Sequence, residues 1–330
     1  MIDAVVYTVE GVERRDVDSV EAIEEAKATA GTTWVRVVSD DRAEFERVAE
    51  SFGIHPLSVE DIHNGVRPKT EDYPNHAFVL ARTARLRRGE TTFDEEIRSE
   101  SVGLFVGPDW LVTMEPAATD AVARVWRAVD GGDDRALQAG PDYVAYRALD
   151  RIVDDYFLLL DDVETTIEEI EEGVLDGPDP DVLEALNTVR RDLLSFRKIL
   201  WPTREAVGVL SRGDVDEVRS STEKYYRDVY DHLVELVDLT ETYRDLARGA
   251  RDIYQNTVAQ STNEVMKTLT VVATVLLPLT FVVGVYGMNF SGGPYAMPEL
   301  GWRFGYPAVM LGMALITVIL VVYFRENDWL

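Results

Sequence analysis

The 330-residue chain has no cysteine. That excludes thiol nucleophiles, disulfides and cysteine-based zinc sites in one step. Lysine is scarce, occurring only at Lys27, Lys69, Lys198, Lys224 and Lys267. The four histidines, His55, His63, His76 and His232, show no metal-ligand spacing and read as structural or surface residues. There is no Gly-x-x-x-x-Gly-Lys-Ser/Thr loop, so no nucleotide is expected as a partner or energy source. No nucleophile, base and orienter stand in a recognisable constellation, and the chain is read as a non-enzyme. Positive charge is short overall, with 33 basic against 60 acidic residues and a net charge of −27. A general nucleic-acid binder needs a basic face, so nucleic acid is not an expected partner. Met1–Glu10 has acids and no basic n-region, so no signal peptide is expected there.

Many acids with few lysines suit a protein kept soluble in strong salt, where charge repulsion is screened. In that setting most acids serve solvation, and an acidic cluster alone is weak evidence for a metal site. The charge is also uneven. Beyond Lys267 only Glu299, Arg303, Arg325, Glu326 and Asp328 are charged, so residues 1–267 carry −26 of the −27.

The weakly charged tail holds two apolar runs, Thr268–Tyr286 and Gly305–Phe324, both free of charge. A bilayer core of about 30 Å needs about 20 helical residues, and both runs fit. Trp302, Tyr306, Tyr323 and Trp329 sit at the run ends, where interfacial aromatics belong. Two spans put both chain ends on one side. A large acidic domain with no export signal stays inside, so both termini are expected in the cytoplasm, with the protein in the cell membrane.

The expected division is a mixed α/β domain over residues 1–140, a helical stalk over 141–267, a first span over 268–286, an outer loop over 287–304, a second span over 305–324 and a tail over 325–330. Within the first, Ala4–Val9, Trp34–Val38, Phe78–Ala84, Val102–Val106 and Trp110–Met114 read as strands. Glu21–Ala28, Arg42–Phe52 and Ala117–Val129 read as helices. Beyond Pro141 the pattern predicts helices over 142–175 and 181–210, the second kinked at Pro202. A third starts near Ser220 and meets no strong break before Pro278, after which it resumes to Tyr286. The fold class is therefore an α/β domain followed by long stalk helices and two C-terminal transmembrane helices.

The third helix carries a heptad seam of Asn263, Met266, Thr270, Ala273, Leu277, Thr280, Gly284 and Gly287, mostly small or polar. Bulky Val, Leu and Phe occupy its other faces. Two readings of the seam stay open on the residues alone: close helix packing, or several copies ringing a water-filled path, which requires a symmetric oligomer. Just beyond it comes Tyr286-Gly287-Met288-Asn289-Phe290. A ring of asparagine amides can hold a cation's water shell without stripping it, which suits Mg²⁺ because that ion dehydrates reluctantly. A carboxylate ring would bind more tightly and release more slowly. Asn289-Phe290-Ser291 is also a formal glycosylation sequon, a frequent chance match that carries no weight here.

These residues resemble the CorA magnesium transport family. The resemblance rests on Thr262-Asn263-Glu264-Val265-Met266-Lys267, Leu277-Pro278-Leu279-Thr280-Phe281, Gly287-Met288-Asn289 and Met297-Pro298-Glu299-Leu300. Upstream it includes Tyr226–His232, Trp201-Pro202, Asp154–Phe157, His55-Pro56-Leu57 and Glu60-Asp61-Ile62, so it covers nearly the whole chain. It implies a homopentameric funnel in the lipid bilayer that passes Mg²⁺, with Co²⁺ or Ni²⁺ as further cargo. It also implies that Gly287, Met288 and Asn289 form the outer selectivity ring. The implied pore lining is Asn263, Met266, Leu269, Leu277, Thr280 and Gly284, with Met266 and Leu269 as an apolar gate and Asp252 near the inner mouth. Regulatory divalent ions are implied between subunits, held by Asp61 with Glu60 beside it and by Asp228 of the neighbour. High internal Mg²⁺ would bridge these acids and close the pore.

Two features depart from the family pattern. The tail, Arg325 to Leu330, has one basic residue where relatives often carry a lysine run. The outer loop has an extended stretch, Ser291–Ala296, so attraction of cations to the outer mouth rests on Glu299. The membrane potential suffices to drive uptake, since a divalent ion gains about 2 × 2.3 kcal/mol per 100 mV. Two alternatives remain: a proton-coupled zinc transporter of a related branch, against which Met288 argues, and a membrane-anchored metal sensor that conducts little.

Overall fold

The computed structural model describes residues 1–17, 19–88, 95–288 and 297–329. The chain divides into two compact units, one of Met1–Val174 with Asp179–Arg251, the other of Leu175–Pro178 with Asp252–Leu330.

The first unit is built on a seven-stranded sheet ordered β2-β1-β3-β9-β8-β5-β4. Its strands are β1 (Ile2–Thr8), β2 (Gly11–Asp16), β3 (Thr32–Val38), β4 (Lys69–Tyr73), β5 (His76–Arg82), β8 (Ser101–Val106) and β9 (Trp110–Glu115). β3 and β9 pair in parallel and the remaining neighbours antiparallel. A separate hairpin joins β6 (Arg85–Arg88) to β7 (Glu95–Arg98). The centre of the sheet is buried on both faces, which is why β8 and β9 read as continuous apolar runs. Helices α1 (Val20–Ala28), α2 (Arg42–Phe52) and α3 (Pro56–His63) supply Ile23, Phe45, Phe52, Val59 and Ile62 to the core that includes Val35, Phe78 and Phe105. Trp34 packs edge-on against Trp126 of α4 (Asp120–Asp130), with centroids 4.8 Å apart. A short α5 (Asp134–Gln138) follows.

The edge strands depart from the sequence reading. β2, Gly-Val-Glu-Arg-Arg-Asp, and β4, Lys-Thr-Glu-Asp-Tyr, are mostly charged, which dilutes the β-branched and aromatic signal that marks the inner strands. They are the two ends of the sheet. Charge there blocks pairing with foreign strands, so an edge is polar for the reason that hides it from a hydrophobicity search. The β6–β7 hairpin and the short α3 and α5 are likewise additions to the expected elements.

Three long helices follow: α6 (Pro141–Asp176), α7 (Pro180–Ser211) and α8 (Glu223–Gly287). α7 starts with Asp179 as N-cap, its carboxylate accepting from the Asp181 N–H, and Pro180 at the first position has no N–H to leave unpaired. It runs through Pro202 as one helix. α6 packs on both neighbours, with Tyr156 against Phe196 of α7 and Phe157 against His232 of α8.

The second unit contains the rest of α8, a 3₁₀ turn over Pro298–Gly301 and α9 (Gly305–Glu326). α8 and α9 each contain a stretch long and apolar enough to cross a bilayer, and few residues of either stretch are buried in the single chain. Val271 of α8 is buried, at 5% exposure, as are Gly305 and Phe324 of α9. Lys267 donates to the Asp328 carbonyl, and Trp329 folds back against Phe324.

Candidate functional site

Two groups of candidate residues lie on α8 and α3, in different units. Along the membrane half of α8, Val271 is buried and Ala273, Thr274, Val275, Pro278, Leu279, Val282, Val285 and Tyr286 are half-buried within the chain. Val282 and Tyr286 line one cleft with Val309 and Met313 of α9. At about 100° per residue Val271, Val275, Pro278, Val282 and Tyr286 fall in one arc, flanked by Thr274, Leu279 and Val285, and half-buried Ala273 falls outside it. Met266, Leu269, Leu277, Thr280 and Gly284 fall about half a turn away, and all are exposed. Asn263 and Asp252 are exposed too. The face that the sequence singles out therefore lies opposite the face that α9 covers.

The chemistry of that open face is specific. A Cβ at Gly284 or at Gly287 would meet nothing within 4 Å among the described residues, so their packing does not call for glycine at either position. Thr270 and Thr280 donate their hydroxyl protons to the carbonyls of Met266 and Leu276, at 2.7 and 2.9 Å. With the donor committed, each hydroxyl presents lone pairs outward, which suits cations and their water shells. Pro278 has no N–H, so the Thr274 carbonyl loses its intrahelical partner. At the helix end the Met288 N–H bonds the Val285 carbonyl at 3.3 Å, and Met288 is exposed. Asn289 and the Ser291–Ala296 stretch lie outside the described residues, and Glu299 falls in the 3₁₀ turn.

In the other unit, α3 holds Glu60 and Asp61. His55 caps it, its Nδ1 accepting from the Leu57 N–H at 3.2 Å, and Pro56 occupies the first position. Ile62 anchors the helix on β8 where Gly103 leaves room, since a Cβ on Gly103 would sit 2.2 Å from Ile62. Asp61 does not stand free. Lys69 of β4 lies 2.6 Å from Asp61 and 2.6 Å from Glu71. Burial pulls the Lys69 ammonium down, but hydrogen bonds to Asp61 and Glu71 and their charges outweigh it, leaving its pKa raised. Burial pushes the Glu71 carboxyl up, and bonds from Lys69 and Tyr73 reverse that, leaving it lowered. Arg42 approaches Glu60 at 4.0 Å.

Asp228 is exposed on α8. Around it stand residues the sequence reading did not single out. Tyr146 of α6 is pushed up to about 12 by burial and by the charges of Asp150, Tyr143 and Asp228, Arg147 pulling the other way. Asp150 is itself raised, first by burial and then by Asp154, against Arg151, His232 and Arg147. Asp150 with Asp154, and Asp228 with His232, are i, i+4 pairs on two packed helices, a spacing legible in the sequence once α6 and α8 are known to touch. Among the described residues no group of three or more metal-ligating side chains forms within one chain. Asp61 and Asp228 are therefore not gathered into such a group by the single chain.

A mixed α/β domain followed by a 65-residue helix and a second apolar helix, both long and apolar enough to span a bilayer, has the make-up of a two-span membrane protein. The chain belongs to the CorA-like Mg²⁺ transporter protein family, whose family model matches residues 29–326. It is 36% identical, over all of this chain and 92% of the relative, to the cobalt/magnesium transport protein CorA of Thermotoga maritima. It is 33% identical to the putative metal ion transporter YfjQ of Bacillus subtilis, over 90% of this chain and 89% of that one. Its fold matches the complete structure of the CorA magnesium transporter from Methanocaldococcus jannaschii with a TM-score of 0.82, at 23% identity, over 100% and 99% of the two chains.

Proposed function

We propose that this protein is a Mg²⁺ uptake channel, also open to Co²⁺ or Ni²⁺, assembled as a ring of five copies and driven by the membrane potential. The observation that supports this reading is the face of α8 opposite α9: exposed, with Thr280 and Gly284 beside Met266, Leu269 and Leu277, and with glycines at 284 and 287 whose Cβ would meet nothing among the described residues. One chain with two spans encloses no path, so the face needs other copies of itself. The names of the Thermotoga maritima and Methanocaldococcus jannaschii relatives, which specify cobalt/magnesium and magnesium transport, support the cargo.

In this reading Gly287, Met288 and Asn289 form the outer filter, and Glu299 draws cations to it. Neutral amides bind a hydrated cation weakly enough for it to leave. Met266 and Leu269 close the path by dewetting, and Asp252 collects ions at the inner mouth. Closure is set by cytoplasmic Mg²⁺, held between Asp61 with Glu60 of one copy and Asp228 of the next. These are hard oxygen donors of the kind Mg²⁺ takes. Asp150, which like Asp228 acts on Tyr146, supplies a further carboxylate on the packed helix α6. Both termini and the large acidic body face the cytoplasm.

The test is Mg²⁺ entry into high-salt proteoliposomes under an imposed potential, with Zn²⁺ and a pH gradient as separate variables. Potential-driven Mg²⁺ entry, indifferent to the pH gradient and lost in Asn289→Ala, is the expected result. Zinc flux that requires the pH gradient, or no flux from folded protein, would overturn it.

A further inference from the structure

The chain has 60 acids and 33 bases, yet one groove is lined by arginine. Arg190 and Arg197 of α7 and Arg244, Arg248 and Arg251 of α8 border a cleft of about 410 Å³. Asp245 is the acid paired there, 3.0 Å from Arg248 and 3.7 Å from Arg244. Arg197 lies over the Trp201 ring. Among the described residues Arg190 and Arg251 form no ion pair. Among the described residues the lining of this cleft holds five guanidinium groups and no carboxylate, and like charges so placed repel one another unless an anionic surface from outside completes them.

A surface of that kind exists on the neighbouring helix. From Ile152 to Val189 the sequence contains 13 acids and no base. Asp161, Glu168 and Glu172 form an exposed stripe on α6 at spacings of seven and four. Among the described residues the ion pairs on α6 stop at Asp155, before this stripe begins.

The two surfaces stand at the same height. α6 and α7 run antiparallel across a three-residue link: Tyr156 meets Phe196, and a Cβ on Gly173 would lie 3.1 Å from Val182. Arg190 is thereby level with the start of the acidic stripe. Tyr243 donates to Glu164 at 2.9 Å, which puts Arg244 level with it as well. In a ring whose axis runs along these helices, copies repeat at constant height, and each boundary joins two different surfaces of the chain head to tail.

We infer that the acidic face of α6 in one copy docks into the arginine groove of α7 and α8 in the next. The partner is a second copy of this chain, and the inference rests on the ring assembly proposed above. Arginine suits the role because its planar fork takes carboxylates bidentately. The opposed charges also select the head-to-tail orientation over face-to-face pairing of like surfaces.

The absence of cysteine makes the test clean, since introduced thiols are then the only ones. Glu168→Cys with Arg248→Cys, and Glu172→Cys with Arg251→Cys, are placed in the full chain, purified in detergent and treated with a short bis-maleimide. Native mass is measured by light scattering on the same samples. Each double variant is expected to give a covalent ladder up to the full ring. Each single variant is expected to stay uncoupled, and a mixture of two single variants to stop at the covalent dimer. A native oligomer with no ladder, or a bridge within one chain, overturns the docking and leaves the ring intact. A monomeric native mass overturns both. Independently, Arg248→Glu with Arg251→Glu is expected to lower the native mass, and adding Glu168→Arg with Glu172→Arg to restore it. Failure of that rescue in folded protein counts against the interface.

Discussion

Asp61 and Lys69 are held 2.6 Å apart, carboxylate to ammonium, within a single chain. The proposed regulatory ligand thus has a built-in competitor. A divalent ion that takes Asp61 must displace Lys69 or share the oxygen with it, and Lys69 keeps Glu71 as an alternative partner, also at 2.6 Å. The pair is partly exposed, so its net worth is about 1 kcal/mol or less. Lys69→Gln is therefore expected to lower the Mg²⁺ concentration for half-closure by roughly three- to five-fold. Flux measured against internal Mg²⁺ reads this directly. An unchanged closing concentration would remove Asp61 from the regulatory site or Lys69 from competition with the ion.

How much of this was legible beforehand follows from what each residue does. Inner strands and long helices announce themselves because burial demands apolar residues at fixed period: α6 and α7 begin and end within a residue of their expected limits. β2 and β4 escape because an edge is kept polar. Met266, Leu277, Thr280 and Gly284 share a seam in the sequence, but only the packing of α9 on the opposite arc decides that the seam is left open within the chain. The Asp61–Lys69 pair spans a helix, a turn and a strand, and no local spacing encodes it. That Asp150 and Asp228 both act on Tyr146 needed the contact between α6 and α8 before it could be seen.

Gly284 separates the pore reading from plain helix packing. Among the described residues nothing lies within 4 Å of a Cβ at that position, so Gly284→Val leaves the fold of the single chain unstrained. Five added side chains in a ring narrow any path they line. Mg²⁺ flux is expected to fall at least tenfold while thermal stability and native mass stay unchanged. Flux equal to that of the parent protein would place this face outside the conduction path.

Arg36 and Glu115 form an ion pair at 2.8 Å with side-chain exposures of 7% and 0%. The second Glu115 oxygen accepts from both the N–H and the hydroxyl of Thr119, at 2.8 and 2.6 Å. Removing the arginine alone strands a buried carboxylate. Arg36→Met is expected to cost about 3–5 kcal/mol of unfolding free energy. Arg36→Met with Glu115→Met removes both charges and should recover a substantial part of that, because a buried pair is weak evidence of net stabilisation. Chemical denaturation of the two variants checks the order; a double variant no more stable than the single would contradict the stranded-charge account.

His76 makes folding sensitive to acid. It is 1% exposed, stacked on Tyr73 with centroids 4.9 Å apart and close to Phe105 and Trp110. Its Nδ1 faces the Asn75 side-chain oxygen at 2.8 Å, while Nε2 has no hydrogen-bond partner among the described residues. Burial, with a smaller contribution from nearby His55, lowers the imidazole to about 4. In the unfolded chain it titrates near 6.5. Between those values the unfolded state binds the extra proton, so stability present above about pH 6.5 is lost as the pH falls toward 4. The full loss amounts to about 3 kcal/mol from this residue. His76→Phe keeps the aromatic stack and removes the titration, so its unfolding midpoint should fall less between pH 7 and pH 4.5 than that of the parent. An equal fall in both proteins would show that the acid sensitivity comes from other groups.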